Sequence, residues 1–99
     1  MMFEGKMVAI TGAAGGIGQC LCRHFVSEGA SIAAIDKSPT VAAFADEMNY
    51  SGARVAHAIV DISDKEQVAQ AFKTLGPIDV LVNNAGFSAH PTLDKTDPK

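Results

Sequence analysis

With 99 residues, 47% of them hydrophobic, and a formal charge of −3, the chain has room for one domain with a modest core. It carries no basic cluster to meet the phosphate backbone of a nucleic acid. No apolar run approaches a membrane span of about 20 residues, and Glu4 arrives too early for a secretory leader, so a cytoplasmic location without a membrane partner is expected.

The first predicted element is a strand over 6–11, in which Met7, Val8, Ala9 and Ile10 are apolar on both faces, as a strand buried between two layers must be. It runs into Gly12-Ala13-Ala14-Gly15-Gly16-Ile17-Gly18, and a helix is predicted over 16–28. Glycine costs roughly 1 kcal/mol relative to alanine inside a helix, so Gly16 and Gly18 near a helix start point to a close approach. A phosphate is the usual visitor. The unpaired N–H groups of a helix start carry about half a positive charge, and a residue without Cβ lets an anion reach them. The spacing is T-G-x-x-x-G-x-G, with Gly12, Gly16 and Gly18 as fixed points, and it lacks the Gly-Lys-Ser/Thr ending of a triphosphate loop. Taken alone, the run is also compatible with a plain glycine-rich turn between strand and helix, as the less favoured reading.

On the predicted helix Ile17, Leu21 and Phe25 form one stripe, and Gly29 follows as the terminating glycine. Cys20 and Cys22 lie about 200° apart around the helix and cannot share a metal or bridge to each other. Cys20 is read as a small core residue beside Ile17 and Leu21. A second strand over 31–35 closes on Asp36 and the turn residues Lys37, Ser38 and Pro39. A helix over 41–48, with Pro39 in its first turn, leads to a third strand over 53–60 that ends in Asp61. Ser63 or Asp64 caps a helix over Lys65–Leu75 with Val68, Ala71, Phe72 and Leu75 on one stripe. A fourth strand over 78–82 runs into Asn83-Asn84-Ala85-Gly86.

This order, β-α-β-α-β-α-β with short connections, predicts an α/β fold: one partial, doubly wound parallel sheet of the Rossmann type spanning 1–99, with about four strands and three helices. Ligands of such sheets sit at the carboxyl ends of the strands. The glycine run, Asp36, Asp61 and the asparagine tetrad all fall there. Asp36 is placed to take the adenosine ribose hydroxyls and to repel a 2′-phosphate, which favours NAD over NADP, although the neighbouring Lys37 can pair with that phosphate and Asp36 can be a plain turn residue. Asp61 can accept a hydrogen bond from an adenine amino group while Ile62 packs on the ring, or Asp61 can cap a helix.

Together, the T-G-x-x-x-G-x-G run, Asp36, Asp61 and the Asn83-Asn84-Ala85-Gly86 tetrad resemble the classical short-chain dehydrogenase/reductase family. The resemblance implies that Gly12, Gly15, Ile17 and Gly18, with Gly16 in the same run, line a pyrophosphate. It puts the adenosine ribose at Asp36 and the adenine at Asp61 and Ile62. It implies that Asn83, Asn84, Ala85 and Gly86 steady the central strands and touch the cofactor's ribose, without dividing those tasks between the two asparagines. The implied cofactor is NAD and the implied reaction is hydride exchange with an alcohol or ketone; family members are commonly homo-oligomers.

Departures from the family pattern are equally plain. Its chemistry needs a serine and a Tyr-x-x-x-Lys pair beyond the fourth strand, whereas the sole tyrosine here, Tyr50, is followed at the fourth position by Arg54. Tyr50 is read as a packing residue and Ser88 as a loop hydroxyl. No catalytic residue is assigned, and the chain alone is expected to be inactive. His24, His57 and His90 have no ligand or base-nucleophile spacing and are read as structural or solvent-facing, without a metal site. Thr96 or Asp97 followed by Pro98 announces a helix just before Lys99, so the chain reads as cut, with an apolar edge at 78–82 that invites association. Competing readings are a non-catalytic nucleotide-binding module and an S-adenosylmethionine methyltransferase, the tetrad arguing against the latter.

Overall fold

A computed structural model describes residues 1–85. The elements follow in the order β1 (Met7–Thr11), α1 (Gly16–Ser27), β2 (Ser31–Asp36), α2 (Thr40–Tyr50), β3 (Val55–Ile59), α3 (Lys65–Leu75) and β4 (Val80–Val82). All strand pairs are parallel, in the order β3-β2-β1-β4. The chain therefore builds outward from β1 through β2 to β3 and then crosses to the other side of β1. That reversal puts a crevice at the carboxyl ends of β1 and β4. The register sets Ala9 opposite both Ala33 and Leu81. At the amino end, Asp79 fastens β4 to β1: its carboxylate accepts from the Met7 N–H at 2.8 Å and its own N–H donates to the Met7 carbonyl at 2.9 Å.

Alternation along the strands sorts the core into two layers. Val8, Ile10, Ile32 and Ala34 face α1 and α2, where Cys22, Val41, Phe44, Ala45 and Met48 close over them. Ala9, Ala33, Ile35 and Val60 face the other way, toward Val68, Ala71, Phe72 and Leu75 of α3. Asp64 caps α3 as expected, accepting from the Glu66 and Gln67 N–H groups. Asn49, at the end of α2, exchanges two hydrogen bonds of 2.8 Å with the backbone of Val55 and so fixes where β3 starts.

Most elements begin and end close to where the residue pattern puts them, with β3 and β4 shorter than expected and α2 longer. Two expected packing assignments are corrected. Cys20 is exposed and Ile17 is 69% exposed, while Cys22 is buried. Gly18 is the cause: it must face the turn after β1, which rotates Gly18, Cys22 and Phe25 inward and carries Ile17 and Cys20 away. Tyr50, expected to pack, is 95% exposed. It lies two residues past Met48, the last α2 side chain seated on the core, and so points to the opposite side of the helix. Among the described residues, no helix is long and apolar enough to cross a membrane.

Candidate functional site

The carboxyl rim starts where β1 gives way to Gly12, whose φ of +68° lies in the left-handed region. A Cβ there would come within 3.0 Å of the Asn84 Nδ2 and 3.1 Å of the Ala85 Cα. A Cβ on Gly18 would overlap the Gly12 carbonyl oxygen and reach 2.8 Å from the Ala13 Cα. These two glycines are demanded by the chain's packing on itself. Gly15 and Gly16 are not: a Cβ on Gly16 would meet nothing within 4 Å, and one on Gly15 only the Gly12 carbonyl oxygen at 3.6 Å. Gly15 is the N-cap of α1, no side chain caps it, and the first turn has no acid. The Gly15 N–H is held by the Gly12 carbonyl at 3.2 Å, but among the described residues nothing claims the N–H groups of Gly16 and the exposed Ile17, where the partial positive charge of α1 gathers.

The loop between Gly12 and Gly16 is docked on the end of β2. The Ala13 N–H donates to the Ile35 carbonyl at 3.1 Å and the Ala14 N–H to the Asp36 Oδ2 at 2.9 Å. The other carboxylate oxygen of Asp36 accepts from the Ser38 N–H at 2.9 Å. Gln19 completes the frame by donating its Nε2 to the Ala14 carbonyl at 2.9 Å. Asp36 thus stands beside the glycine loop, half buried, with its carboxylate plane fixed from two sides.

Farther along the rim, Asp61 is not a helix cap, since Asp64 holds that position. Its Oδ1 accepts from the hydroxyl and the N–H of Ser63 at 2.7 and 3.0 Å. Those two bonds hold its carboxyl below the usual carboxylate range, with Lys37 adding a smaller pull in the same direction. Gln67 occupies the Asp61 N–H.

At the end of β4 the two asparagines part company. Asn84 is buried and donates its Nδ2 to the Gly12 carbonyl at 3.3 Å. Asn83 is exposed, and its Oδ1 accepts from the Thr11 hydroxyl at 3.1 Å. The same hydroxyl accepts from the Ala85 N–H at 3.0 Å. Thr11, Ala14, Gln19 and Ser38 were absent from the sequence-derived site, and only Thr11 left a signal there: a hydroxyl at the end of an otherwise apolar strand. Gly86, Ser88, His90 and the 96–98 helix start lie outside the described residues.

The glycine loop, Asp36 and Asn84 are thus joined by direct bonds. Asp61 bonds to none of them; its neighbour Ile62 joins Thr11 and Asn83 around an apolar cleft of about 210 Å³, completed by Ile35, Val68, Ala71, Phe72 and Leu81. No group of three His, Cys, Asp or Glu residues that could hold a metal ion exists among the described residues. His24 and His57 are exposed and stand apart.

Comparison with known proteins gives consistent results. The description of the short chain dehydrogenase family matches residues 6–99. A short chain dehydrogenase of Pseudocercospora fijiensis is 39% identical over 100 aligned residues, covering 95% of this chain and 32% of that protein. The 7alpha-hydroxysteroid dehydrogenase of Bacteroides fragilis is 44% identical, covering 85% of this chain and 34% of that one. Among solved structures, a 3-oxoacyl-[acyl-carrier protein] reductase with bound NAD from Brucella melitensis superposes with a TM-score of 0.78 at 31% identity, covering 84% of this chain and 33% of that one. The chain spans about a third of the length of each of these relatives.

Proposed function

Because the chain belongs to the short-chain dehydrogenase family, we propose that it is the NAD(H)-binding part of an oxidoreductase that exchanges hydride with an alcohol or ketone. The observation that carries this reading is the open N–H end of α1 at Gly16 and Ile17, set beside the Asp36 carboxylate at the point where strand order reverses. In this reading the pyrophosphate lies along Gly12, Gly15, Gly16, Ile17 and Gly18, and the adenosine ribose meets Asp36. The adenine rests on Ile62 with Asp61 at its amino group. Asn83, Asn84, Ala85 and Gly86 border the far ribose, where the exposed Asn83 is the better placed of the two asparagines. When bound, the nicotinamide supplies the hydride carrier; the chain's own residues bind and orient it. The Brucella relative has NAD bound and the Bacteroides relative is a hydroxysteroid dehydrogenase; here they support the cofactor class and the reaction type.

Asp36 gives the reading its sharpest consequence. A 2′-phosphate at 4 Å from its carboxylate costs about 1 to 4 kcal/mol for effective dielectrics of 80 down to 20. Calorimetry on the 99-residue chain is expected to show tighter binding of NAD than of NADP. Equal or tighter binding of NADP overturns the preference and moves the weight to Lys37.

One observation favours a non-catalytic module for these 99 residues taken alone. Tyr50, the only tyrosine, sits at the end of α2, and α2 runs against the strands, so Tyr50 lies at the amino rim of the sheet, opposite the site. Proton donation to a developing alkoxide is worth about 10² to 10⁴-fold, and no phenol is in reach. The chain with NADH and a panel of ketones and aldehydes is expected to show no turnover at 340 nm. Turnover that disappears on Gly12→Asp means the chain is catalytic by itself.

A further inference from the structure

We propose that Asp36 is a positioning residue for the pyrophosphate loop as well as a ribose ligand, an inference that rests on the reading of the rim as a dinucleotide site. Both of its carboxylate oxygens are engaged before any ligand arrives: Oδ2 by the Ala14 N–H and Oδ1 by the Ser38 N–H, each at 2.9 Å. Hydrogen bonds to an ionised acceptor are roughly twice as strong as neutral ones. Ala14 is the middle of the loop, and its other polar group, the carbonyl, is taken by Gln19. The residue before it is pinned to β2 through the Ala13 N–H.

Of these ties, the Asp36 bond is the one that a cofactor-swapping substitution removes. Losing it strands the Ala14 N–H in a part-buried position, and an amide there moves to find a partner. Ala14 leads directly into Gly15, the N-cap, so its movement changes the direction in which the N–H end of α1 faces. Asp36 therefore supports binding of a part of the ligand that it does not touch. A direct consequence is that opening the pocket to a 2′-phosphate by Asp36→Ala lowers affinity for both cofactors instead of exchanging one for the other.

The test separates touching from positioning. Binding of NAD, and of an NAD analogue lacking both hydroxyls on its adenosine ribose, is measured for the wild-type chain, Asp36→Ala and Asp36→Asn. If Asp36 served the ribose alone, the analogue would not register its loss. We expect the analogue to bind at least fivefold more weakly to Asp36→Ala. Asp36→Asn, which keeps one acceptor oxygen but turns an amide toward one of the two N–H donors, is expected to weaken it as well. In the absence of ligand, exchange of the Ala14 amide proton followed by NMR is expected to be at least tenfold faster in Asp36→Ala, with the Ala9 amide in β1 unchanged as the control for folding. Equal binding of the analogue by wild-type and Asp36→Ala overturns the proposal. Should the wild-type chain bind neither ligand, the dinucleotide reading falls by itself. The loop claim is then decided by Ala14 exchange: faster exchange upholds it and unchanged exchange overturns it.

Discussion

Val8, Ile10, Ile32, Cys22 and Val41 are closed off from solvent where the sheet meets α1 and α2, whereas α3 brings no fully buried side chain to the opposite face. There Val68, Ala71 and Phe72 stay half buried, and Leu81 of β4 is 56% exposed at the edge of the apolar cleft. The difference tells which part of the rim is rigid. The glycine loop and Asp36 grow out of β1 and β2, whose α1/α2 side is sealed. Ile62 and Asn83 border the cleft and depend on α3, which is held less firmly.

The largest expected effect sets the two faces against each other. Ile32→Ala removes a fully buried side chain from the sealed face and is expected to cost about 2 to 5 kcal/mol. Phe72→Ala removes a larger group from the open face, yet is expected to cost less than the about 3 to 5 kcal/mol of a fully buried phenylalanine, and less than Ile32→Ala. Urea unfolding of the two variants orders them. A larger loss for Phe72→Ala would mean that α3 is the anchoring layer.

A smaller effect distinguishes the glycines of the rim. Gly18→Val forces a branched side chain against the Gly12 carbonyl and Ala13, and overpacking of this kind costs about 1 to 3 kcal/mol. Dinucleotide binding is expected to weaken at least tenfold. Gly16→Ala meets open space in the first turn of α1 and is expected to leave the thermal midpoint unchanged or raise it, by up to about 1 kcal/mol in stability. Equal destabilisation by the two substitutions would erase the distinction between packing glycines and open ones.

How much of this was legible in the sequence depends on the kind of signal. Both-sided apolar strands, the Val68-Ala71-Phe72-Leu75 stripe and the cap at Asp64 are local patterns, and the fold follows from them. The family resemblance read from the glycine run and the tetrad agrees with the matched family. The rotation of α1 is legible in part: Gly18 near the helix start signals the close approach that the structure shows against Gly12 and Ala13, whereas the stripe of Ile17, Leu21 and Phe25 suggests a face that leaves Ile17 in the core, and Ile17 is exposed. The bonds that assemble the rim, Ala14 to Asp36 and Thr11 to Asn83, join residues far apart in the chain through a backbone amide or a single hydroxyl. Neither has a composition or a period to betray it. Tyr50, expected to pack, is exposed because a lone aromatic beside a helix end carries no direction of its own, and its direction is set by where Met48 seats on the core.

The smallest effect probes the sealed face through its own helix. Cys20 and Cys22 both lie on α1, one exposed and one buried, and burial pushes the Cys22 thiol from the ordinary value of 9.0 up to about 12, with the Arg23 guanidinium pulling it back slightly. The thiolate is the nucleophile, so Cys22 is unreactive in the native chain, and Cys20 is the thiol that a disulfide reagent reaches. At pH 8 one thiol is expected to react rapidly with excess reagent and the second only as fast as the chain opens; Cys22→Ala should remove the slow phase. The same shift fixes a pH dependence. A thiol whose folded pKa is raised stabilises the native state fully below its unfolded pKa, and that contribution is lost as pH rises from about 9 toward about 12. Stability of the wild-type chain should therefore fall across that window more steeply than that of Cys22→Ala. Two thiols reacting at one common rate would show that the α1/α2 face opens as readily as the α3 face, and the contrast between them would be gone.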